Sequence, residues 1–186
     1  MDLGSLKLNG FDVFLFGTPG LLRFSVMRDV VADGADGIIF LFDAANPESD
    51  KDAISILNQI RKLLKPNSPI VFAANKQDLP NARAPEVVKA QNNLPDNSKI
   101  FGTSTETGKN VHESLKYLIN QIFDNYKETL EVMRKYETDI RGLADTLKMN
   151  KEEIRNFLNN LELKRFIEID RIKKTYRVKK GLKNLI

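Results

Sequence analysis

The chain has 186 residues, of which 41% are hydrophobic and 29% are charged, the composition of a folded globular protein. It contains no cysteine and one histidine, His112, which excludes disulfides, thiolate metal sites, a cysteine nucleophile and a histidine-rich metal centre. No apolar run is long enough to span a bilayer, and the N-terminal residues lack the pattern of a secretory signal. We therefore expect a cytoplasmic protein without a membrane span.

The net charge of +4 is distributed unevenly along the chain. Residues 1–124 carry 13 basic and 15 acidic side chains, whereas residues 125–186 carry 16 basic and 10 acidic ones. Such an asymmetry predicts two segments that interact with different partners.

Residues 1–123 show strands that alternate with helices. Apolar runs on either side of Asn9-Gly10 predict a β-hairpin, because Asn-Gly favours a tight turn. We predict strands at 37–42, 69–74 and 99–101, and helices at about 22–33, 53–64, 85–90 and from Val111 onward. The run 37–42 is continuously apolar, as expected of a strand buried on both faces. The alternation predicts a parallel α/β sheet.

Residues 124–186 follow a different pattern. We predict that the long helix continues to Tyr136, and that helices follow at 139–147 and at 151–163, the latter capped by Asn150 and Glu153. Two strands then flank a basic turn, at 166–169 and 175–178. Three helices and a hairpin resemble a small α+β winged-helix domain. We therefore predict two domains, at 1–123 and 124–186.

Polar residues Asn75-Lys76-Gln77-Asp78 directly follow a predicted buried strand. In a doubly wound sheet, ligands bind outside the carboxyl ends of the strands, so this loop faces the expected crevice. A fixed carboxylate on Asp78 can accept hydrogen bonds from the N1–H and the 2-amino group of guanine. Adenine lacks this pair of donors and would leave the carboxylate unpaired. The stem of Lys76 can lie over the base, and the amide of Asn75 can join neighbouring loops.

A second polar loop, 103–108, follows the next predicted strand and contains Ser104 and Thr105. By itself it is an ordinary turn before a helix. Because it comes one strand–helix unit after the Asn75 loop, its backbone N–H groups are candidates to donate to a guanine oxygen.

Four segments, in this order, resemble the Ras-like small GTPases, in particular their prokaryotic members. Gly17-Thr18-Pro19-Gly20 with Arg23-Phe24 resembles switch II, and 35–43 resembles the strand after it. Asn75-Lys76-Gln77-Asp78 matches the family's Asn-Lys-x-Asp guanine motif, and Ser104-Thr105-Glu106 resembles its Ser-Ala-Lys motif in the serine alone. The resemblance covers residues 1 to about 123.

The resemblance implies a guanine-nucleotide-dependent switch that binds GTP or GDP and a protein effector. It implies that Asn75, Lys76 and Asp78 contact the base, that Ser104 and Thr105 form the loop behind it, and that the Gly20 backbone N–H meets a γ-phosphate. For this chain itself, we predict no catalytic side chain and no protein metal ligand.

The chain also departs from the family pattern. No Gly-x-x-x-x-Gly-Lys-Ser/Thr occurs, so the phosphate loop, the first strand and switch I are missing, and a Mg²⁺ site does not carry over to this chain. The switch II aspartate is replaced by Gly17 and the water-positioning glutamine by Leu21. We expect an incomplete Ras-like sheet, negligible GTP hydrolysis, and exposed strand edges that favour a homodimer.

Two explanations of these departures remain open. The chain is a piece of a longer GTPase, or it is a protein that has lost nucleotide chemistry and keeps the scaffold. The start inside a hairpin and the loss of a central strand favour the first.

The C-terminal segment predicts a different activity. In helix-turn-helix domains one helix enters the major groove and the wing contacts phosphate. Arg155 on the predicted helix 151–163, and Lys173 and Lys174 in the predicted wing, are candidate DNA contacts. Glu152, Glu153 and Glu162 on the same helix oppose this hypothesis. The alternatives to a GTPase switch are therefore a nucleic-acid-binding winged-helix regulator and a pseudo-GTPase adaptor that binds protein only.

Overall fold

The computed structural model describes residues 2–8, 11–20 and 22–179. The chain divides into two compact units, one of Met1–Asp2 with Phe16–Ile122 and one of Leu3–Leu15 with Phe123–Ile186. The predicted Asn9-Gly10 turn and Leu21 lie outside the described residues. The strands on either side of that turn, β1 (Asp2–Leu8) and β2 (Phe11–Gly17), pair as a two-stranded sheet.

The first unit contains a parallel sheet with helices, which confirms the predicted α/β class. Its strands are β3 (Ile38–Asp43), β4 (Ile70–Asn75) and β5 (Ile100–Gly102), in the order β3-β4-β5. Its helices are α1 (Ser25–Gly34, after a 3-10 turn at Leu22–Phe24), α2 (Asp50–Arg61), α3 (Pro85–Gln91) and the start of α4 (Val111–Lys135). Every element predicted for residues 22–122 is present, within a few residues of its expected bounds.

The two central strands differ in burial. In β4 the residues from Val71 to Ala74 are all buried, as predicted. In β3, Phe40 and Phe42 are buried against Leu57 of α2, but Leu41 is 50% exposed, so the prediction of a strand buried on both faces is wrong. The reason is position, because β3 is an edge strand of the three-stranded sheet within the described residues.

Besides most of β1 and β2, the second unit contains the end of α4, two further helices and a hairpin. These are α5 (Ile140–Leu147), α6 (Lys151–Leu163), β6 (Ile167–Asp170) and the antiparallel β7 (Thr175–Val178). Met133, Leu143, Leu161 and Ile167 are fully buried in its core. The hydroxyl of Tyr176 donates to the Met133 carbonyl oxygen at 2.6 Å, and burial raises the pKa of Tyr176.

The start of α6 confirms the predicted capping box. Asn150 Oδ1 accepts from the backbone N–H groups of Glu152 and Glu153 at 2.9 and 3.0 Å. Glu153 Oε2 in turn accepts from Asn150 N at 2.7 Å. Within the described ranges, no helix has both the length and the apolar character that a bilayer crossing requires.

Candidate functional site

The candidate site is built on the ends of β4 and β5, which are neighbours in the parallel sheet. Backbone hydrogen bonds join the loops that follow them, from Thr103 N to Ala74 O and from Gln77 N to Thr103 O, both at 3.0 Å. Gly102 at the end of β5 permits this approach, since a Cβ there would lie 2.9 Å from Pro85 Cγ and 3.4 Å from Gln77 Cγ. The two polar loops predicted from sequence are therefore in direct contact.

Ser104 orients the carboxylate of Asp78. Its hydroxyl donates to Asp78 Oδ1 at 2.6 Å and accepts from Thr107 N at 3.1 Å. Ser104 is fully buried, whereas Asp78 is exposed. The Ser104 hydrogen bond is the main reason that the pKa of Asp78 lies below its usual value, with a smaller contribution from Lys76. Asp78 is thus an ionised acceptor: Ser104 holds one of its carboxylate oxygens, and the side chain remains accessible to solvent.

Asn75 joins the two loops through its side chain, as its sequence position predicts. Its Oδ1 accepts from the Thr103 hydroxyl at 3.1 Å, and its carbonyl oxygen accepts from Ala44 N at 3.1 Å. Sequence analysis placed Thr103 in the loop without assigning it a role. The only sequence signal was its position directly before Ser104.

Lys76 has a partner that sequence analysis did not find. Its ammonium group lies 2.7 Å from Asp43 Oδ2, at the end of β3. Asp43 is paired in register with Asn75, so the parallel sheet brings Asp43 to the same edge as Lys76, which lies 33 positions later in sequence. The available signal was that Asp43, like Asn75, directly follows an apolar strand.

Thr105 and Gly20 are placed differently from the other predicted site residues. Thr105 is exposed, and neither its side chain nor Gly20 forms a hydrogen bond with the Asn75 loop in the described part of the chain. A Cβ built on Gly20 would meet no atom within 4 Å, so the loop is open at this point. Arg28 Nη1 ties this loop to α1 by donating to Pro19 O at 3.0 Å.

A partly buried ion pair joins the start of α2 to the loop after β4. Arg83 donates through Nη1 and Nη2 to the two carboxylate oxygens of Asp50, at 2.6 and 3.0 Å. It also donates through Nη2 to Asp43 O and through Nε to Ala44 O, both at 3.1 Å. The side chains of Arg83 and Asp50 are 11% and 15% exposed. Arg83 therefore fixes the strand end that carries Asp43, and it was missed because its partners lie far away in sequence.

The basic candidates of the second unit are exposed. Arg155 lies on α6, and Lys173 and Lys174 lie in the turn between β6 and β7. Glu162, which we expected to repel DNA, is paired with Arg171 and accepts from Ile169 N at 3.2 Å. The Arg171 pair lowers the pKa of Glu162. Lys180 and Lys183, the basic residues beyond the wing, lie outside the described residues.

No group of three or more His, Asp or Glu side chains that could hold a metal ion occurs among the described residues. In the first unit, polar side chains that hold one another lie in the base-side loops, 75–78 and 103–107.

The chain is similar in sequence to a known protein family. A sequence model of the Ras family matches residues 6–124, which is more than half of the chain and includes the Asn75 and Ser104 loops. The matched segment ends close to the middle of α4, where the two compact units divide. The chain belongs to the Ras family, and residues 6–124 form a small-GTPase-like domain of the kind that binds guanine nucleotides.

Proposed function

We propose that this chain binds guanine nucleotides through the loops after β4 and β5. The observation that carries the proposal is the hydrogen bond from the buried Ser104 hydroxyl to Asp78, which holds an ionised carboxylate at the end of the sheet. That carboxylate accepts from N1–H and the 2-amino group of guanine, and Asn75 keeps the two loops together. The match to the Ras family supports the assignment.

A titration of the chain with fluorescent GDP, and in parallel with fluorescent ADP, tests the proposal. We expect saturable GDP binding that Asp78→Ala weakens at least tenfold, because the variant leaves two base donors unpaired. Asp96→Ala is the matched control, since it removes an exposed carboxylate from the loop before β5. Equal affinity for GDP and ADP, or equal effects of the two variants, would contradict the proposal.

We infer further that the chain hydrolyses GTP at a negligible rate. The family resemblance places Gly17 and Leu21 where an aspartate and a glutamine are usual, and an apolar Leu21 side chain cannot orient an attacking water. Single-turnover assays with radiolabelled GTP measure this. A phosphate-release rate that Asp78→Asn abolishes would contradict the inference.

A second function, binding of duplex DNA by the second unit, is proposed on the exposure of Arg155, Lys173 and Lys174. Ile172, beside the two lysines, is 94% exposed, and an apolar side chain flanked by cations suits a groove lined by phosphates. The pairing of Glu162 with Arg171 reduces the repulsion that this helix would exert.

Charge reversal tests this second function. Lys173→Glu with Lys174→Glu is expected to abolish a duplex affinity that falls steeply with salt. Lys51→Glu with Lys65→Glu makes the same charge change at exposed positions of the first unit and should preserve more of that affinity. A chain that binds neither nucleotide nor DNA would support the remaining alternative, an adaptor that binds protein only.

A further inference from the structure

Asp43, a carboxylate outside the Asn75 motif, holds the ammonium group of Lys76. It is the last residue of β3, and its Oδ2 lies 2.7 Å from Lys76 Nζ. The side chains of Asp43 and Lys76 are 26% and 50% exposed, so water screens the ion pair only in part. The lysine of the proposed base site is therefore not a freely solvated side chain.

The backbone of Lys76 is constrained as well. Its φ is 69°, in the left-handed region that residues with a Cβ rarely occupy. Its carbonyl oxygen accepts from Leu79 N at 3.0 Å. The stem of Lys76 is thus anchored at one end by the backbone and at the other by Asp43. A stem held in this way loses little conformational entropy when a flat ligand packs against it.

Asp43 is itself held in place by two contacts. Its Oδ1 accepts from Ala45 N at 3.0 Å, and its carbonyl oxygen accepts from Arg83 Nη2 at 3.1 Å. Arg83 is in turn fixed by Asp50. The position of the Asp43 carboxylate is therefore set by the β3 loop independently of Lys76.

We infer that Asp43 is a positioning residue of the base site, which fixes Lys76 Nζ so that the lysine stem covers one face of the bound guanine. The inference rests on the proposed guanine binding. Asp43 acts through Lys76 and provides no contact to the base itself. Its contribution is to hold a flexible four-carbon side chain in the conformation that the ligand requires.

Asp43→Asn is the most selective variant for removing the ion pair, because asparagine retains the Oδ1 acceptor for Ala45 N and removes only the charge. Asp52→Asn is the matched control, since Asp52 is an exposed aspartate of α2 and the substitution makes the same charge change. In the ligand-free protein, we expect the side-chain ¹⁵Nζ and ¹³Cε NMR signals of Lys76 to shift in Asp43→Asn and to keep their positions in Asp52→Asn. An unchanged Lys76 signal in Asp43→Asn would overturn the inference without reference to any nucleotide.

A double-mutant cycle with GDP tests the functional consequence. Asp43→Asn is expected to weaken GDP binding about fivefold in the wild-type background. In a Lys76→Met background, where the ammonium group is absent, the same substitution should change the affinity less than about twofold. Equal effects in the two backgrounds would show that Asp43 acts independently of Lys76 and would overturn the inference.

The two proposals fail in different ways. If the wild-type chain binds no GDP, the proposed function fails, and the positioning role fails with it even if the ion pair persists in the NMR spectrum. If the wild-type chain binds GDP and Asp43→Asn binds it equally well, guanine binding stands and only the role of Asp43 is overturned.

Discussion

Two surfaces carry candidate ligand-binding side chains but are constructed differently: one is formed by the loops after β4 and β5, the other by the exposed side of α6 and the turn between β6 and β7. At the first surface, three pairs of side chains hold one another: Ser104–Asp78, Thr103–Asn75 and Lys76 with Asp43 at the end of β3. On the second surface, the side chains of Arg155, Lys173 and Lys174 form no hydrogen bond or ion pair within the described part of the chain.

This difference follows from what each surface would recognise. A planar base offers directional donors, so the groups that bind it must be fixed in advance, and each fixed group requires a partner behind it. A phosphate backbone offers dispersed negative charge, which accessible lysines and arginines can neutralise without a fixed geometry. Substitution of the side chains that hold the first surface in place should therefore change stability or ligand affinity strongly. Comparable substitutions in the second unit should have smaller effects.

The largest effect is expected from Arg83→Met. The substitution leaves the partly buried carboxylate of Asp50 without a cation, and loss of a hydrogen-bond donor to a charged group costs about 2–3 kcal/mol of unfolding free energy. Urea unfolding followed by circular dichroism measures this cost. Arg61→Met, at an exposed position of α2, is the control and should change stability by less than about 0.5 kcal/mol. If both substitutions change the free energy of unfolding by a similarly small amount, the Arg83–Asp50 ion pair does not stabilise the fold.

The same ion pair predicts a pH dependence. Burial raises the pKa of Asp50, but hydrogen bonds from Arg83 and Asn92 outweigh burial and place the pKa below its reference value of 3.8. Because the folded pKa is lower than the unfolded one, the stabilisation is present above about pH 4 and is lost as the pH falls through the folded pKa. Arg83→Met should remove this acid-dependent loss. A stability–pH profile that keeps its shape in the variant would contradict the assignment.

The next largest effect is expected from Ser104→Ala. The variant removes the donor behind Asp78 and the acceptor for Thr107 N, so GDP affinity should fall about tenfold. The pKa of Asp78 should rise towards its ordinary value, which NMR titration of the carboxyl carbon can measure. Ser98→Ala is the matched control, because Ser98 lies in the loop before β5, at the opposite end of the strand. Equal GDP affinities for the two variants would contradict the role of Ser104.

The features that sequence analysis predicted correctly are those with local causes. The burial of β4 follows from an unbroken apolar run, and the cap of α6 follows from Asn150 and Glu153, which are three residues apart. The polar loops could be assigned to one edge of the sheet because parallel strands place their carboxyl ends together. The family match at residues 6–124 includes both of these loops.

The features that were missed depend on distant residues. Asp43 and Lys76 are 33 positions apart, and Arg83 reaches Asp50 across another 33. The position of Asp43 after an apolar run is a local signal, but nothing in the local pattern identifies Lys76 as its partner or Arg83 as the partner of Asp50. Likewise, the exposure of Leu41 depends on which strand lies beside β3, and not on the composition of β3 itself.

The smallest effect is expected from Asn150→Ala, in the second unit. The substitution removes the acceptor for two N–H groups at the start of α6 and should cost about 1 kcal/mol of unfolding free energy. Asn160→Ala, at an exposed position of the same helix, is the matched control and should be neutral or slightly stabilising, because alanine favours helix interiors. Neither substitution should change GDP affinity, since both lie outside the unit that carries the base-side loops. A loss of GDP affinity in Asn150→Ala that is absent in Asn160→Ala would show that the two surfaces are energetically coupled, and would contradict the contrast between them.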